Sequence, residues 1–208
     1  MMTQRPLLIW FSILVVIALL SLSSPAAATV IDFETLSDLD SVTIQFPGLT
    51  FSNTTVATAG ITLNEFEFPP RSGVNVVFDD GDAITIVFGS IQTSVGGFFN
   101  YVTGLTFTAF DAVNSVVGTD TSDFVSDLAL SGDPGSSPNE FLGVTFAEGI
   151  KKVTIQGDPA GDSFTLDDLT FTTRITAVPG LPTAVLIGLG LASLIGWRRI
   201  REFRSKSP

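Results

Sequence analysis

Leu105-Thr106-Phe107-Thr108-Ala109-Phe110 puts Leu105, Phe107 and Ala109 on one side of an extended chain and the two threonines on the other. A period of two with β-branched and aromatic residues is the signature of a strand with one buried face. The same pattern runs through Phe164-Thr165-Leu166-Asp167-Asp168-Leu169-Thr170-Phe171, where it slips phase at the aspartate pair, so a β-bulge is expected there. Outward from these two stretches, short strands are predicted at 30–33, 42–46, 49–52, 61–66, 74–78, 83–88, 91–99, 114–118, 124–130, 141–146 and 151–156. Asp79-Asp80-Gly81-Asp82, Ser131–Pro138 and Gly157–Gly161 carry the Gly, Asp and Pro chemistry of turns. No segment of helical period exceeds two turns between Thr29 and Ala177. Many short strands without helices predict an all-β fold, an antiparallel β-sandwich of jelly-roll type.

Composition narrows the chemistry. The chain has 208 residues and contains neither Cys nor His. Thiolate nucleophiles, Cys/His zinc sites and Ser-His-Asp triads are excluded by that alone. Between residues 29 and 175 only Arg71, Lys151, Lys152 and Arg174 are basic, against 20 acids, a net charge of 4 − 20 = −16. Such a domain repels nucleic acid and attracts cations, so no nucleic-acid partner is expected.

The two ends differ from the middle. Residues 1–28 read as a signal peptide: Arg5, the apolar run Leu7–Leu22, then Pro25-Ala26-Ala27-Ala28. Ala26 and Ala28 occupy the small positions of a cleavage site, giving a mature start at Thr29 and implying the Sec machinery and signal peptidase as partners. An uncleaved N-terminal anchor is the competing reading. Residues 29–175 form the ectodomain. Residues 176–208 hold Val178-Pro179-Gly180-Leu181-Pro182, an apolar stretch 181–197 and an arginine-rich tail. As a helix that stretch rises about 25 Å, close to the ~30 Å hydrocarbon core, with Trp197 at the interface and the arginines cytoplasmic.

Carboxylates are the candidate ligands. In a sandwich of this kind the first and last strands often lie close, bringing Asp32 and Glu34 towards Asp167 and Asp168. An all-oxygen cluster suits a structural Ca²⁺; carboxylates turned out to solvent at a bulge are the alternative. Asp79-Asp80-Gly81-Asp82 looks like half of an EF-hand loop, but Val87 stands where the closing Glu belongs, so a hairpin turn is expected instead. The ectodomain has one tyrosine, Tyr101, and no Trp, which weakens stacking on sugars. Phe66, Phe68, Pro69 and Pro70 suit an exposed loop. Nothing isolates a catalytic pair of carboxylates, and no catalytic residue is assigned.

The three-part ending resembles the PEP-CTERM sorting signal of Gram-negative bacteria: Val178, Pro179 and Pro182 in a variant V-P-G-L-P motif, the GLGLASLIG run, and Arg198-Arg199. Segments of the middle are similar to jelly-roll domains found with that signal, among them Ile31–Glu34, Gln45–Asn53, Val95–Phe99 with Leu105–Ala112, and Gly149–Ile155. The resemblance implies export through the inner membrane, anchoring, and processing by an exosortase at the cell surface. It implies a non-catalytic surface or extracellular-matrix protein. The alternative is a Ca²⁺-dependent carbohydrate-binding or adhesion module on the membrane, with extracellular polysaccharide as partner. A plain tail anchor is the competing reading of the C-terminal segment.

Overall fold

The computed structural model describes residues 27–174. The apolar run Leu7–Leu22, Ala26, the motif residues Val178, Pro179 and Pro182, the stretch 181–197 and Arg198-Arg199 lie outside the described residues. Within them run nine antiparallel strands and no helix: β1 (Ala28–Ile31), β2 (Leu49–Ser52), β3 (Thr54–Thr58), β4 (Asn75–Asp79), β5 (Ile84–Tyr101), β6 (Thr106–Phe110), β7 (Val116–Thr121), β8 (Glu140–Gln156) and β9 (Phe164–Thr173).

The expected antiparallel β-sandwich is present, and two long strands build it. The first half of β5 pairs with β2 and with the second half of β8, which continues through β6 to β7. The second half of β5 pairs with β9 and with the first half of β8, and β9 carries β4 and β1 on its other edge, with β3 beyond β4. The register of β5 against β8 shifts between Val87 and Gln92 and again before Ser94. Irregularities of this kind let a strand leave one sheet and enter the other. The segments expected as separate strands at 83–88 and 91–99 are therefore one strand, as are 141–146 and 151–156.

Alternation fills the interior. Leu105, Phe107 and Ala109 are buried as their spacing requires, in one core with Ile84, Ile86 and Phe88 of β5 and Val153 and Ile155 of β8 from the same sheet, and Phe164, Leu166 and Leu169 of β9. Phe99 stands between Phe107 and Phe164, with ring centroids 6.3 and 6.1 Å away. Each such ring contributes about 2–3 kcal/mol by leaving water. The bulge also falls where the phase slips. Gly97 alone spans the interval from Gly96 to Phe98, while Asp168 and Leu169 both lie between Asp167 and Thr170. Asp168 takes a φ of 46°, which allows Leu166 and Leu169 to face the core together.

Three expected strands are not strands. Segments 42–46, 61–66 and 124–130 hold at most single bridges nearby, such as Ala59 to Leu63 and Tyr101 to Asp127. In 124–130 carboxylates take the amides that a neighbouring strand would use. Asp133 accepts from Val125 and Ser126, and Glu67 accepts from Leu130. Side-chain acceptors of this kind compete directly with a ladder.

Candidate functional site

β1 does pair with β9, Ile31 opposite Leu169, so the ends of the domain meet as expected. Ala28 opens β1 opposite Thr172, so the expected cleavage after it leaves Thr29–Ile31 to hold that edge. Of the carboxylates that follow β1, Glu34 reaches the loop before β4. Glu34 Oε1 accepts the backbone N–H groups of Val74 (2.9 Å) and Asn75 (2.7 Å). Its carboxylate fills the space beside Gly73, where a Cβ would lie 2.2 Å from Glu34 Cδ. From β9, Asp167 Oδ2 accepts from the Ser72 amide at 2.9 Å, and Asp168 Oδ1 accepts from Ser72 Oγ at 2.8 Å. Asp32 Oδ1 only turns back to the amide of Glu34. Asp167 is 2 % exposed, and burial, reinforced by the Asp168 charge, pushes its carboxyl up to about 6 against the pull of the amide bonds.

The four carboxylates expected to gather round Ca²⁺ do not form a metal-holding group, and among the described residues no set of three or more acids does. Each of Glu34, Asp167 and Asp168 binds the loop 71–75 instead, through one oxygen apiece that accepts from its N–H or O–H groups. Millimolar Ca²⁺ or EDTA is accordingly expected to leave the melting temperature unchanged within about 1 °C. A rise with Ca²⁺ that EDTA reverses would restore the ion to this seam. Arg71, from the same loop, lies over the Phe98 ring at 4.5 Å.

Asp79 is a second buried carboxylate, fully inaccessible, at the end of β4. It accepts from Ser163 N (2.8 Å), Ser163 Oγ (2.7 Å) and Phe164 N (3.0 Å), so it caps the start of β9. Burial raises its pKa while these donors lower it. The expected hairpin at Asp79–Asp82 is absent, since β4 pairs with β3 and β9 and not with β5. The turn glycine is as expected, with Gly81 at a φ of 85°. The chain crosses there from one sheet to the other, because Asp79 is tied to residues 163–164.

A third polar cluster joins Tyr101, Asp127 and Glu140. The Tyr101 hydroxyl donates to Glu140 Oε2, the Asp123 amide donates to Glu140 Oε1, and the Glu140 amide donates to Asp127 Oδ2. Burial raises the pKa of Asp127 and of Tyr101, and the Glu140 carboxylate reinforces both shifts. Two acids and a phenol are close here; Glu140 has both oxygens engaged, by Tyr101 of β5 and the Asp123 loop, and buried Asp127 Oδ1 has no hydrogen-bond partner.

A pocket of about 200 Å³ opens between the outer face of β3, β4 and β9 and the connection 59–74. Ala57, Leu63, Phe68, Phe78 and Phe164 form its apolar lining; Asn64, Thr165 and Asp162 supply its polar groups. Ala57, Leu63 and Val76 make a small separate core with Phe68 and Phe78 packed on it. Asp162 holds a φ of 54° and donates its amide to Asp79 O at 2.8 Å, so the buried aspartate also places this rim residue. Sequence reading had Phe66 and Phe68 in one exposed loop. Phe66 is 71 % exposed, whereas Phe68 turns in against the sheet. The length of the β3–β4 connection was the one available signal, since long ordered loops often cover sites.

No family model and no curated protein matches the chain. Among solved structures, it is similar to the K2 cleaved adhesin domain of Lys-gingipain, with 15 % identity and a TM-score of 0.47, covering 71 % of this chain and 100 % of that one. A DUF4465 family protein from Bacteroides caccae is similar at 11 % identity and a TM-score of 0.46, again over 71 % of this chain and 100 % of that one. The K1 cleaved adhesin domain of Lys-gingipain from Porphyromonas gingivalis gives 10 % identity and a TM-score of 0.40, over 72 % and 99 %.

Proposed function

We propose that this chain is an exported, non-catalytic envelope or extracellular-matrix protein, presented by an N-terminal signal peptide and a C-terminal sorting signal of PEP-CTERM type. The observation that carries the non-catalytic reading is the use made of the buried acids. Asp79 accepts at both oxygens from Ser163 and Phe164, Asp167 from the Ser72 and Asp168 amides, and half-buried Glu140 from Tyr101 and Asp123, while buried Asp127 takes the Glu140 amide at Oδ2 and leaves Oδ1 without a partner. The pocket is lined by one carboxylate, Asp162. Glycoside hydrolysis needs two acids flanking the bond, and nucleophilic catalysis needs a base beside the nucleophile. The adjacency of β1 and β9 and the two sheet-spanning strands support a jelly-roll-like sandwich. A Ca²⁺-dependent sugar module asks for a carboxylate group that the β1–β9 seam does not supply.

Mass spectrometry of the mature protein from its native host tests the reading. A polypeptide starting at Thr29 and truncated near Val178–Pro182 is expected. A chain intact through Pro208 would refute sorting and leave a simple membrane anchor; a retained N-terminus would refute signal cleavage.

A further inference from the structure

We infer that the pocket beneath the connection 59–74 binds an organic cation: a primary ammonium carried on a short apolar stem, as in a lysine side chain or a free alkylamine. This goes beyond the proposed envelope role and does not depend on it.

Three observations combine. The lining is mainly apolar and includes Phe68, Phe78 and Phe164, and about 200 Å³ is the scale of one side chain rather than of a drug-sized ligand. The pocket carries a carboxylate at its solvent-exposed rim. Asp162 lines it, and no described residue donates a hydrogen bond to its carboxylate. The four cations of the described residues are all engaged elsewhere: Arg71 over Phe98, Lys151 on Gly89 O, Lys152 on Asn114 and the Phe110 ring, and Arg174 on Glu148 O.

Charge complementarity therefore selects the ligand. An anion would meet Asp162 with no compensating base, inside a domain of net charge −16. A neutral sugar would place hydroxyls against a mostly hydrocarbon surface, leaving several without partners. An ammonium on an apolar stem satisfies both parts. The stem covers Leu63, Ala57 and the Phe68 and Phe78 rings, and the head meets Asp162, with the Asn64 and Thr165 oxygens as further acceptors. A second carboxylate, Asp38, stands behind the wall, where it accepts from Thr62 Oγ1 at 2.5 Å. Asp162 is kept at the rim by its amide bond to Asp79 O and by Gly161, where a Cβ would lie 2.3 Å from Gly81 N.

Calorimetric titration of the full chain in phosphatidylcholine nanodiscs, with empty nanodiscs subtracted, tests this. The probes are n-butylammonium, Nα-acetyl-lysine N-methylamide, 1-butanol, butyrate and glucose. Saturable binding of n-butylammonium is expected, weakened about five- to tenfold by Asp162→Asn and by 0.5 M NaCl, with butyrate and glucose silent. Asn tolerates the left-handed backbone at 162, and an unchanged melting temperature verifies the variant's fold. If acetyl-lysine methylamide binds as well as butylammonium, the cation is a partner protein's lysine; if only butylammonium binds, it is a free amine. Equal binding of 1-butanol and butylammonium, indifference to Asp162→Asn, or binding of glucose would each overturn the proposal.

Discussion

Replacing Asp79 with alanine is expected to lower the melting temperature by about 10 °C, from a loss of about 3 kcal/mol. The carboxylate holds two backbone amides and one hydroxyl at the start of β9, all in the interior. Alanine leaves the Ser163 and Phe164 N–H groups buried without acceptors, at about 1–3 kcal/mol each. Part of that loss is offset because the mutant no longer buries a charge, which is why the figure stays below the sum of three bonds. Phe164 packs on Phe99, so slackening the start of β9 reaches the central aromatic cluster. Asp79→Asn retains a carbonyl for the two amides and should lose less than half as much. Thermal or urea unfolding of both variants measures the difference. A loss under about 1 kcal/mol for Asp79→Ala would show that water replaces the carboxylate, and the capping role would be wrong.

Stability should rise as the solution is acidified from pH 7 to about 4.5. Asp167 has its folded pKa raised from 3.8 to about 6, chiefly because burial disfavours the anion. For a raised carboxyl, the neutral form is favoured by folding. The stabilisation is complete below 3.8, lost as pH climbs through about 6, and absent at 7. Over the interval from pH 7 to 4.5 this one group contributes about 2 kcal/mol. Asp79 and Asp127 are shifted in the same direction by the same cause and add to the trend. Partial protonation also relieves self-repulsion in a domain with sixteen surplus negative charges (4 − 20). Urea midpoints measured across the range should climb on acidification, and Asp167→Asn should flatten the climb. A midpoint that falls steadily from pH 7 to 4.5 in the wild type would contradict the placement of Asp167 under the loop 71–73.

The strand pattern was legible wherever a strand has one buried face. Leu105–Phe110 reads correctly residue by residue, and the phase slip at Asp167-Asp168 marks a real bulge. Reading failed at two kinds of place. Ser90 and Ile91 resemble a break between strands, yet β5 runs on: it pairs with β8 up to Val87 and is taken up again at Gln92 by β8 on one side and β9 on the other. The segments 61–66 and 124–130 have strand-like composition, yet the amides of Ile61, Thr62 and Leu63 turn back to Thr58 O, and Asp133 and Glu67 take those of Val125, Ser126 and Leu130.

The acidic residues divide the two levels most sharply. Sequence alone determined an all-β, Cys- and His-free, strongly anionic domain, whose first and last strands were expected to bring Glu34 towards Asp167 and Asp168. Those properties follow from a two-residue period and from composition, both of which are local. Only the tertiary structure decided what the carboxylates hold, since their donors are remote: Ser72 lies 96 positions from Asp168, and Asn75 lies 41 from Glu34. The pocket is remote in the same sense. Its walls come from β3, β4, β9 and three loops, and the aspartate at its rim is brought there from the β8–β9 connection. Hydrogen-bond partners and cavities are relations between distant segments, and no pattern along the chain encodes them until the sheets have closed.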